Sequence, residues 1–388
     1  VLKDLSLPAA SAGLLAGFVG FASSFAVVIQ GLRGVGASPA EAASGLMVLC
    51  FAMGLAAIVL SLWRRMPISV AWSTPGAALL ATAGVPEGGF PVAVGAFVVS
   101  SALIVLAGAW KPLGRAVAAI PAPLASAMLA GVLLGLCLAP VKAVAAFPLL
   151  GLAVVAAWAL VAAWRRLLAV PAAVLVAAVG IVAGTDMPTL PAAALWPAPV
   201  LVWPAFTVPA LIGIALPLFI VTMASQNITG MAVLNVNGYR PDAGPLFQVT
   251  GLFGLAAAPF GGHAVNLAAI TAALCANPEA HPDATKRYWA AAVSGVAYVC
   301  VFGPLAGAAA AFIGAAPPVL IEAVAGLALL GAFGQAMVGA VTADQHREAA
   351  VVCFVVTASG LTFLGISGAF WGLLAGGAVM GLARIARR

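Results

Sequence analysis

The sequence predicts an all-α polytopic membrane protein of fourteen transmembrane segments, arranged as two inverted repeats of seven. Three observations carry that expectation. Of the 388 residues, 64% are hydrophobic and 7% charged, with a mean hydropathy of +1.19. A water-soluble domain carries about 25% charged residues. The apolar residues form long stretches and not the alternating strands of a membrane barrel. Finally, with the N-terminus cytoplasmic, fourteen segments place fourteen of the sixteen Lys and Arg residues inside: Lys3, Arg64, Arg65, Lys111, Arg115, Arg165, Arg166, Arg240, Lys286, Arg287, Arg347, Arg384, Arg387 and Arg388. Only Arg33 and Lys142 fall outside, and twelve segments would put several of the pairs on the wrong face. An odd number of segments per half opposes the two halves and leaves both termini cytoplasmic.

The first repeat, residues 1–184, holds segments at about 11–31, 41–62, 68–84, 91–110, 122–140, 147–164 and 169–184. Lys3 and Asp4 precede a full-length span with no small-residue cleavage pattern, so this start reads as a span and not a cleaved leader. Residues 185–206 are too proline-dense to span, and with Trp196 and Trp203 they read as an extracytoplasmic interfacial linker. The second repeat, residues 207–388, holds segments at about 207–234, 243–257, 262–276, 287–313, 317–340, 348–364 and 367–385. At an offset of 202 residues, Ala22-Ser23 matches Ala224-Ser225, Gly36 matches Gly238 and Pro39 matches Pro241. The pI of about 9.4 does not imply nucleic acid, because the basic residues sit in pairs between apolar segments; the partner is the lipid bilayer. Cys50, Cys137, Cys275, Cys300 and Cys353 all fall inside spans and form no CxxC, which favours core residues over disulfides or metal ligands.

Two polar breaks occupy matching places, Ser73-Thr74-Pro75-Gly76 and Pro259-Phe260-Gly261-Gly262-His263-Ala264-Val265-Asn266. Each leads into an apolar run of helix formers. A broken segment exposes backbone groups that lipid does not tolerate unless the break lines a cavity, and such a pair points to a transporter's substrate site. Either break alone reads as a Pro kink or a Gly-rich packing face sooner than as a site; it is the matched pair that favours a site. Pro75 suits a first helical turn and Ser73 or Thr74 suits its cap, while Asn266 falls near the start of the second half-helix. Opposed half-helix N-termini near the midplane make an anion site without a cation.

Ser225, Gln226, Asn227 and Thr229 crowd the eighth segment, at a cost in hydrocarbon unless they face a cavity or one another. Interhelical hydrogen bonding is the alternative. Ser23, Ser24 and Gln30 give a weaker signal in the first segment. His263 is the one histidine in a span. It either carries a proton or bonds a carbonyl freed by the break. Glu322 is the one carboxylate inside a span, a proton-relay candidate or a side chain reaching the interface. Phe25, Trp72, Phe219 and Phe260 lie near the breaks, where rings can sandwich a flat substrate or simply pack. No ATPase, protease or hydrolase motif and no metal-ligand cluster is present, so neither an enzyme nor a resident cofactor or metal is expected. Transport then draws on an ion or solute gradient.

Val221–Pro241 (VTMASQNITGMAVLNVNGYRP), Ala258–Cys275 (APFGGHAVNLAAITAALC) and Ser73–Ala81 (STPGAALLA) resemble the hallmark blocks of the BenE family of benzoate/proton symporters. The resemblance covers essentially the whole chain and implies a distant likeness to nucleobase permeases and to sulfate and bicarbonate transporters. It implies a core domain of about residues 11–111 plus 207–313 and a gate domain of about 122–184 plus 317–385. Short extended stretches then precede the half-helices of spans 3 and 10. It implies proton-coupled uptake of an aromatic carboxylate across the inner membrane by alternating access, and a homodimer through the gate. The implied substrate site gathers Ser73, Thr74, Pro75, Gly76, Ser225, Gln226, Asn227, Gly262, His263, Val265 and Asn266, with Phe25, Trp72 or Phe260 on the ring. Nucleobase permeases carry glutamates where this chain has Gln226 and Val265-Asn266, and neutral amides suit an anion better. The rival readings are a nucleobase or inorganic-anion permease and an anion channel.

Overall fold

The computed structural model describes residues 4–110, 112–113, 121–184, 196–268, 270–342, 344–364 and 366–386. Lys3, Lys111, Arg115, Arg387 and Arg388 of the charge count, and residues 185–195 of the linker, lie outside the described residues. The first half runs through α1 (Leu7–Ala22), α2 (Phe25–Gly34), α3 (Pro39–Arg64), β1 (Val70–Trp72), α4 (Thr74–Ala83) and α5 (Phe90–Ala109). It continues with α6 (Ala122–Cys137), α7 (Ala139–Ala146), α8 (Pro148–Trp164) and α9 (Ala169–Gly184). The second half runs through α10 (Val208–Val236), α11 (Ala243–Ala257), β2 (Val265–Leu267), α12 (Ile270–Ala276) and α13 (Ala284–Ala315). It ends with α14 (Pro318–Val341), α15 (Arg347–Ala358), a hairpin of β3 (Thr362–Phe363) and β4 (Ile366–Ser367), and α16 (Gly368–Ala386).

Among the described residues nine helical stretches are long and apolar enough to cross a membrane, with α1–α2 (Leu7–Gly34) and α6–α7 (Ala122–Ala146) each taken as one stretch, and Pro148–Trp164 and Gly368–Ala383 are shorter apolar helices. The segments at 68–84 and 262–276 are strand-plus-helix units, with the short extended stretch before each half-helix that the resemblance implies. Three boundaries differ from expectation. The first segment is two helices, because the Ser23 and Ser24 hydroxyls both donate to the Gly20 carbonyl, at 3.2 and 3.0 Å, and the ladder stops there. The thirteenth ends at Ala358, where Gly360 turns with φ +67° and the β3–β4 hairpin follows. Asn266, expected near a half-helix start, stands inside β2, and the described helix that follows is α12, Ile270–Ala276.

The helices pack in two groups. Around the strand pair, α1 and α3 pack on α13, α2 on α4, α5 on α11, and α10 on α4, α5 and β2. Glycine sets the closeness of two crossings. A Cβ on Gly54 would come within 2.6 Å of the Gly295 carbonyl oxygen, and one on Gly244 within 2.9 Å of that of Gly108. In the second group α14 and α15 pack on α6, α16 on α15, and α8 on α9. Leu149, Leu160 and Leu175 point outward from the second group, as a lipid-facing surface requires. The described part of the linker is extended and strapped over the first group. Val200 N–H donates to Ser44 Oγ, Val202 N–H to the Pro259 carbonyl and Ala205 N–H to the Pro91 carbonyl. Trp196 and Trp203 stand exposed on its outer side.

Candidate functional site: the paired breaks

The two breaks meet. β1 and β2 pair antiparallel with Val70 opposite Leu267, Ala71 opposite Asn266 and Trp72 opposite Val265. The ribbon is continued by Ala268 N–H to the Ser69 carbonyl at 2.9 Å and Ser73 N–H to the Ala264 carbonyl at 3.2 Å. A shift of 195 residues carries Val70-Ala71-Trp72 onto Val265-Asn266-Leu267, and carries each of those two hydrogen bonds onto the other. The pairing is therefore symmetric about a pseudo-two-fold axis through Ala71 and Asn266. Inverted repeats produce such an axis in the membrane plane.

Each edge of the ribbon is tied to its surroundings by side chains. Ser73, fully buried, caps α4: its Oγ accepts from Gly76 N–H at 3.1 Å and from the Thr222 hydroxyl at 2.8 Å. Asn227 Oδ1, on α10, accepts from Leu267 N–H at 2.9 Å, and its Nδ2 lies 3.1 Å from Met223 Sδ. Ser69 and Thr271 hydroxyls meet at 2.7 Å. His263 Nε2 lies 2.9 Å from the Ser73 carbonyl, so the second break is clasped to the first. A carbonyl only accepts, which places the imidazole proton on Nε2 and leaves Nδ1 a bare lone pair. That Nδ1 is buried and without a partner among the described residues, as is Asn266 Oδ1; Asn266 Nδ2 donates to the Leu267 carbonyl at 2.8 Å.

These ties decide what remains available to a ligand. In α4, Pro75 has no N–H, Gly76 N–H goes to Ser73 Oγ and Ala77 N–H goes to the Ser73 carbonyl at 2.8 Å. That leaves the N–H and hydroxyl of half-buried Thr74 without a partner among the described residues. Val265 and Gly262 are buried in the ribbon and its approach, and Gly76 is closed in by Leu218 and Ser73. Of the polar cluster on α10, Ser225 donates back to the Val221 carbonyl and Thr229 to that of Ala224. Asn227 is spent on β2. Gln226 is the member of the cluster whose half-buried amide stays free among the described residues, about one turn beyond Thr222. The cluster sits on a π-helical turn, Met223–Asn227, and the α1–α2 break lies 202 residues before it. Both halves thus depart from regular helix beside the strands, as functional sites often do.

The rings form two groups. Phe25, Phe21 and Phe302 make a near-parallel column, with centroids 5.1 and 4.8 Å apart, and Trp72 meets Phe21 and Tyr298 edge-on. Trp72 is locked in place, its Nε1–H donating to Ser24 Oγ at 2.9 Å. Phe25 is half-buried. Phe97 meets Phe90 and the His263 ring. Phe260 makes no ring contact with Phe25 or Trp72; its carbonyl accepts from Ser44. Glu322, in the second turn of α14, takes part in no hydrogen bond at the ribbon. Sequence reasoning missed Thr222, Ser69, Thr271, Phe21, Tyr298 and Phe302. Phe21 and Phe25 at helical spacing were a signal; the others needed the fold.

A pseudo-symmetric strand crossing that feeds two short helices, inside a bundle with lipid-facing walls, is the architecture of a multi-pass membrane transporter. The fold agrees. The transmembrane domain of the cyanobacterial bicarbonate transporter BicA superposes with a TM-score of 0.54 at 14% identity, covering 98% of both chains. SLC26A9 superposes with a TM-score of 0.63 at 14% identity over 100% of this chain and 66% of that one. These neighbours have the inverted-repeat fold of seven plus seven segments. The chain belongs to the BenE family, described as benzoate membrane transport protein, whose profile matches residues 3–382. It is 42% identical over 377 residues to "Inner membrane protein YdcO" of Escherichia coli, covering 97% of this chain and 96% of that protein. It is 31% identical over 377 residues to "Benzoate membrane transport protein" of Acinetobacter baylyi, covering 96% and 94%.

Proposed function

We propose that this protein imports benzoate or a similar aromatic carboxylate together with a proton, by alternating access across the inner membrane with both termini cytoplasmic. One observation carries the reading: the groups left free beside the strand crossing are neutral donors, the Thr74 N–H and hydroxyl and the Gln226 amide. A carboxylate there meets the positive end of α4, a favourable interaction of about 0.3–2 kcal/mol, and accepts charge-assisted hydrogen bonds. Phe25, the half-buried end of the ring column, is the contact for the substrate ring, with Trp72 behind it. Ser73, Asn227, Asn266, Gly262 and Val265 shape the crossing and hold it. The likeness to the Acinetobacter protein supports benzoate over other anions.

For the proton, His263 is favoured over Glu322 because its Nδ1 is a buried lone pair with no donor, on a ring clasped to the Ser73 carbonyl. Protonation at Nδ1 keeps Nε2–H on the Ser73 carbonyl and adds a positive charge behind the anion site. Each ligand then favours the other's binding, which is the linkage that symport requires. The second group of helices serves as the gate and as the face of a homodimer.

Uptake of labelled benzoate into proteoliposomes tests the reading. Accumulation against its gradient that collapses with a protonophore, and that excess uracil or sulfate does not compete away, is the expected result. Accumulation that never exceeds equilibrium makes the protein a channel, and competition by uracil or sulfate moves it to the nucleobase or inorganic-anion permeases. Proton-driven accumulation retained in His263→Gln transfers the proton role to Glu322, whose replacement by Gln is the matching test.

A further inference from the structure

On the α5 and α11 side of the crossing lies a second set of polar groups without a partner among the described residues, on α5, on β2 and at His263 just before it. Phe97, Ser100, Ser101 and Ile104 form one buried face of α5. Phe97 lies against the His263 ring, and the two serines follow it by one turn. Ser100 Oγ, Ser101 Oγ and His263 Nδ1 are all buried without a hydrogen-bond partner among the described residues. A fourth group is backbone. The flanking bonds at Ser69 and Ser73 make Ala71–Asn266 the hydrogen-bonded pair of the ribbon, so Val265 N–H points outward from its edge. The equivalent outward N–H of Leu267 is taken by Asn227; that of Val265 faces α11 and α5. The Cβ position of Gly254 on α11 is 2.8 Å from Ser101 Oγ and 3.5 Å from Val265 N, so both groups border the volume that a methyl on Gly254 would fill.

Native interiors do not leave four such groups dry together; ordered water with two to four polar partners is the usual remedy. We propose that a buried water sits in the seam between α5 and α11, held by Val265 N–H, Ser101 Oγ and His263 Nδ1, and that it carries the transported proton to and from His263. The inference rests on the proton-coupled reading above. The balance is simple: Nδ1 of the imidazolium gives its proton to the water, the water passes one on along the serine hydroxyls, and His263 returns to its neutral Nε2–H form. The seam leads along α11 past Thr250, whose hydroxyl is bonded to the Leu246 carbonyl at 3.0 Å, to the end of the molecule that carries Arg240 and Asp242. Among the described residues no fixed charge intervenes. The elements around the imidazole, α4, α5, α11 and both strands, carry no charged residue, and α3 adds Cys50 and, at its ends, Glu41 and Arg64. Glu41 is turned to Ser38 N–H at 2.8 Å.

Ser101→Ala, Ser100→Ala and Gly254→Ala, which pushes a methyl into the seam, test the route in proteoliposomes. Two rates are compared, pH-driven net benzoate uptake and benzoate–benzoate exchange at equal pH, where the proton need not leave. The expected result is a fall of about fivefold or more in net uptake, the worth of one lost hydrogen bond, with exchange within about twofold of the parent. A larger solvent isotope effect in heavy water should accompany it. Equal loss in both rates makes the seam a packing feature and overturns the proposal, as does no loss in either. If the unmodified protein shows no proton-driven uptake at all, it is the parent reading that falls.

Discussion

Replacing Ser73 by alanine removes the one atom that both caps α4 and accepts the Thr222 hydroxyl of α10. Ser73 Oγ accepts two hydrogen bonds in a fully buried place, from Gly76 N–H at 3.1 Å and Thr222 Oγ1 at 2.8 Å. Loss of an N-cap costs about 1 kcal/mol. Leaving the Thr222 hydroxyl buried without an acceptor adds about 1–2 kcal/mol, so Ser73→Ala should destabilise by about 2–3 kcal/mol. The sharper test is the sign of Thr222→Val. In the parent it breaks a hydrogen bond and destabilises by about 1 kcal/mol. In the Ser73→Ala background it removes a stranded hydroxyl at constant shape and should restore about 1 kcal/mol. Unfolding of the purified protein in detergent, read as a double-mutant cycle, measures both. If Thr222→Val destabilises equally in the two backgrounds, the two side chains do not act on one another and the account of the cap is wrong.

Gln226→Ala should raise the half-saturation concentration for benzoate about tenfold, the loss of one hydrogen bond to a charged group, with the unfolding midpoint unmoved; an unchanged uptake curve removes Gln226 from the site. Asn227→Ala should instead lower stability by about 1–3 kcal/mol, because Leu267 N–H is left buried without an acceptor, and unfolding measurements check it. Gly230→Ala brings a Cβ to 2.7 Å from that of Leu267 and 3.1 Å from the Ala268 carbonyl oxygen. Overpacking there should cost about 1–3 kcal/mol and slow uptake by displacing β2, measured by unfolding and transport on the same preparation.

What the sequence disclosed follows from which physical signals it carries. Pro75, Pro259 and the Gly261-Gly262 pair interrupt apolar runs outright, so the two breaks were legible, and Gly261 does adopt φ +90°. The break at Ser23-Ser24 was not, because hydroxyl groups bonded to the Gly20 carbonyl end that helix without proline or glycine to mark it. The π turns at Met223–Asn227 and Tyr298–Phe302 leave no compositional trace at all. Repeat symmetry was half visible for a definite reason. The first span of each half aligns at an offset of 202, but the strands align at 195. The second half connects the two with seven fewer residues, so no single offset displays both. The polar cluster on α10 looks like one unit in sequence, whereas its members divide: two bond back to their own helix, one holds β2, and one stays free.

Under the alternating access proposed above, the pairing also constrains which parts can move. Bending at the breaks would separate the ribbon bonds, the Ser73–Thr222 and Asn227–Leu267 hydrogen bonds and the His263 clasp at once. Each buried group so stranded costs about 1–3 kcal/mol. The two groups of helices are joined differently. α4 packs on α6 and α2 on α14 through apolar side chains, and among the described residues one side-chain hydrogen bond crosses between the groups, Ser367 Oγ to the Gly213 carbonyl at 2.7 Å. Apolar surfaces slide without stranding a polar group, since the packing given up on one side is replaced by similar packing on the other. Motion of the strand-bearing group as one body against the other therefore strands fewer buried polar groups than motion within it. A disulfide placed across the α2–α14 face should then arrest uptake, while one placed across α2 and α4 should leave it running.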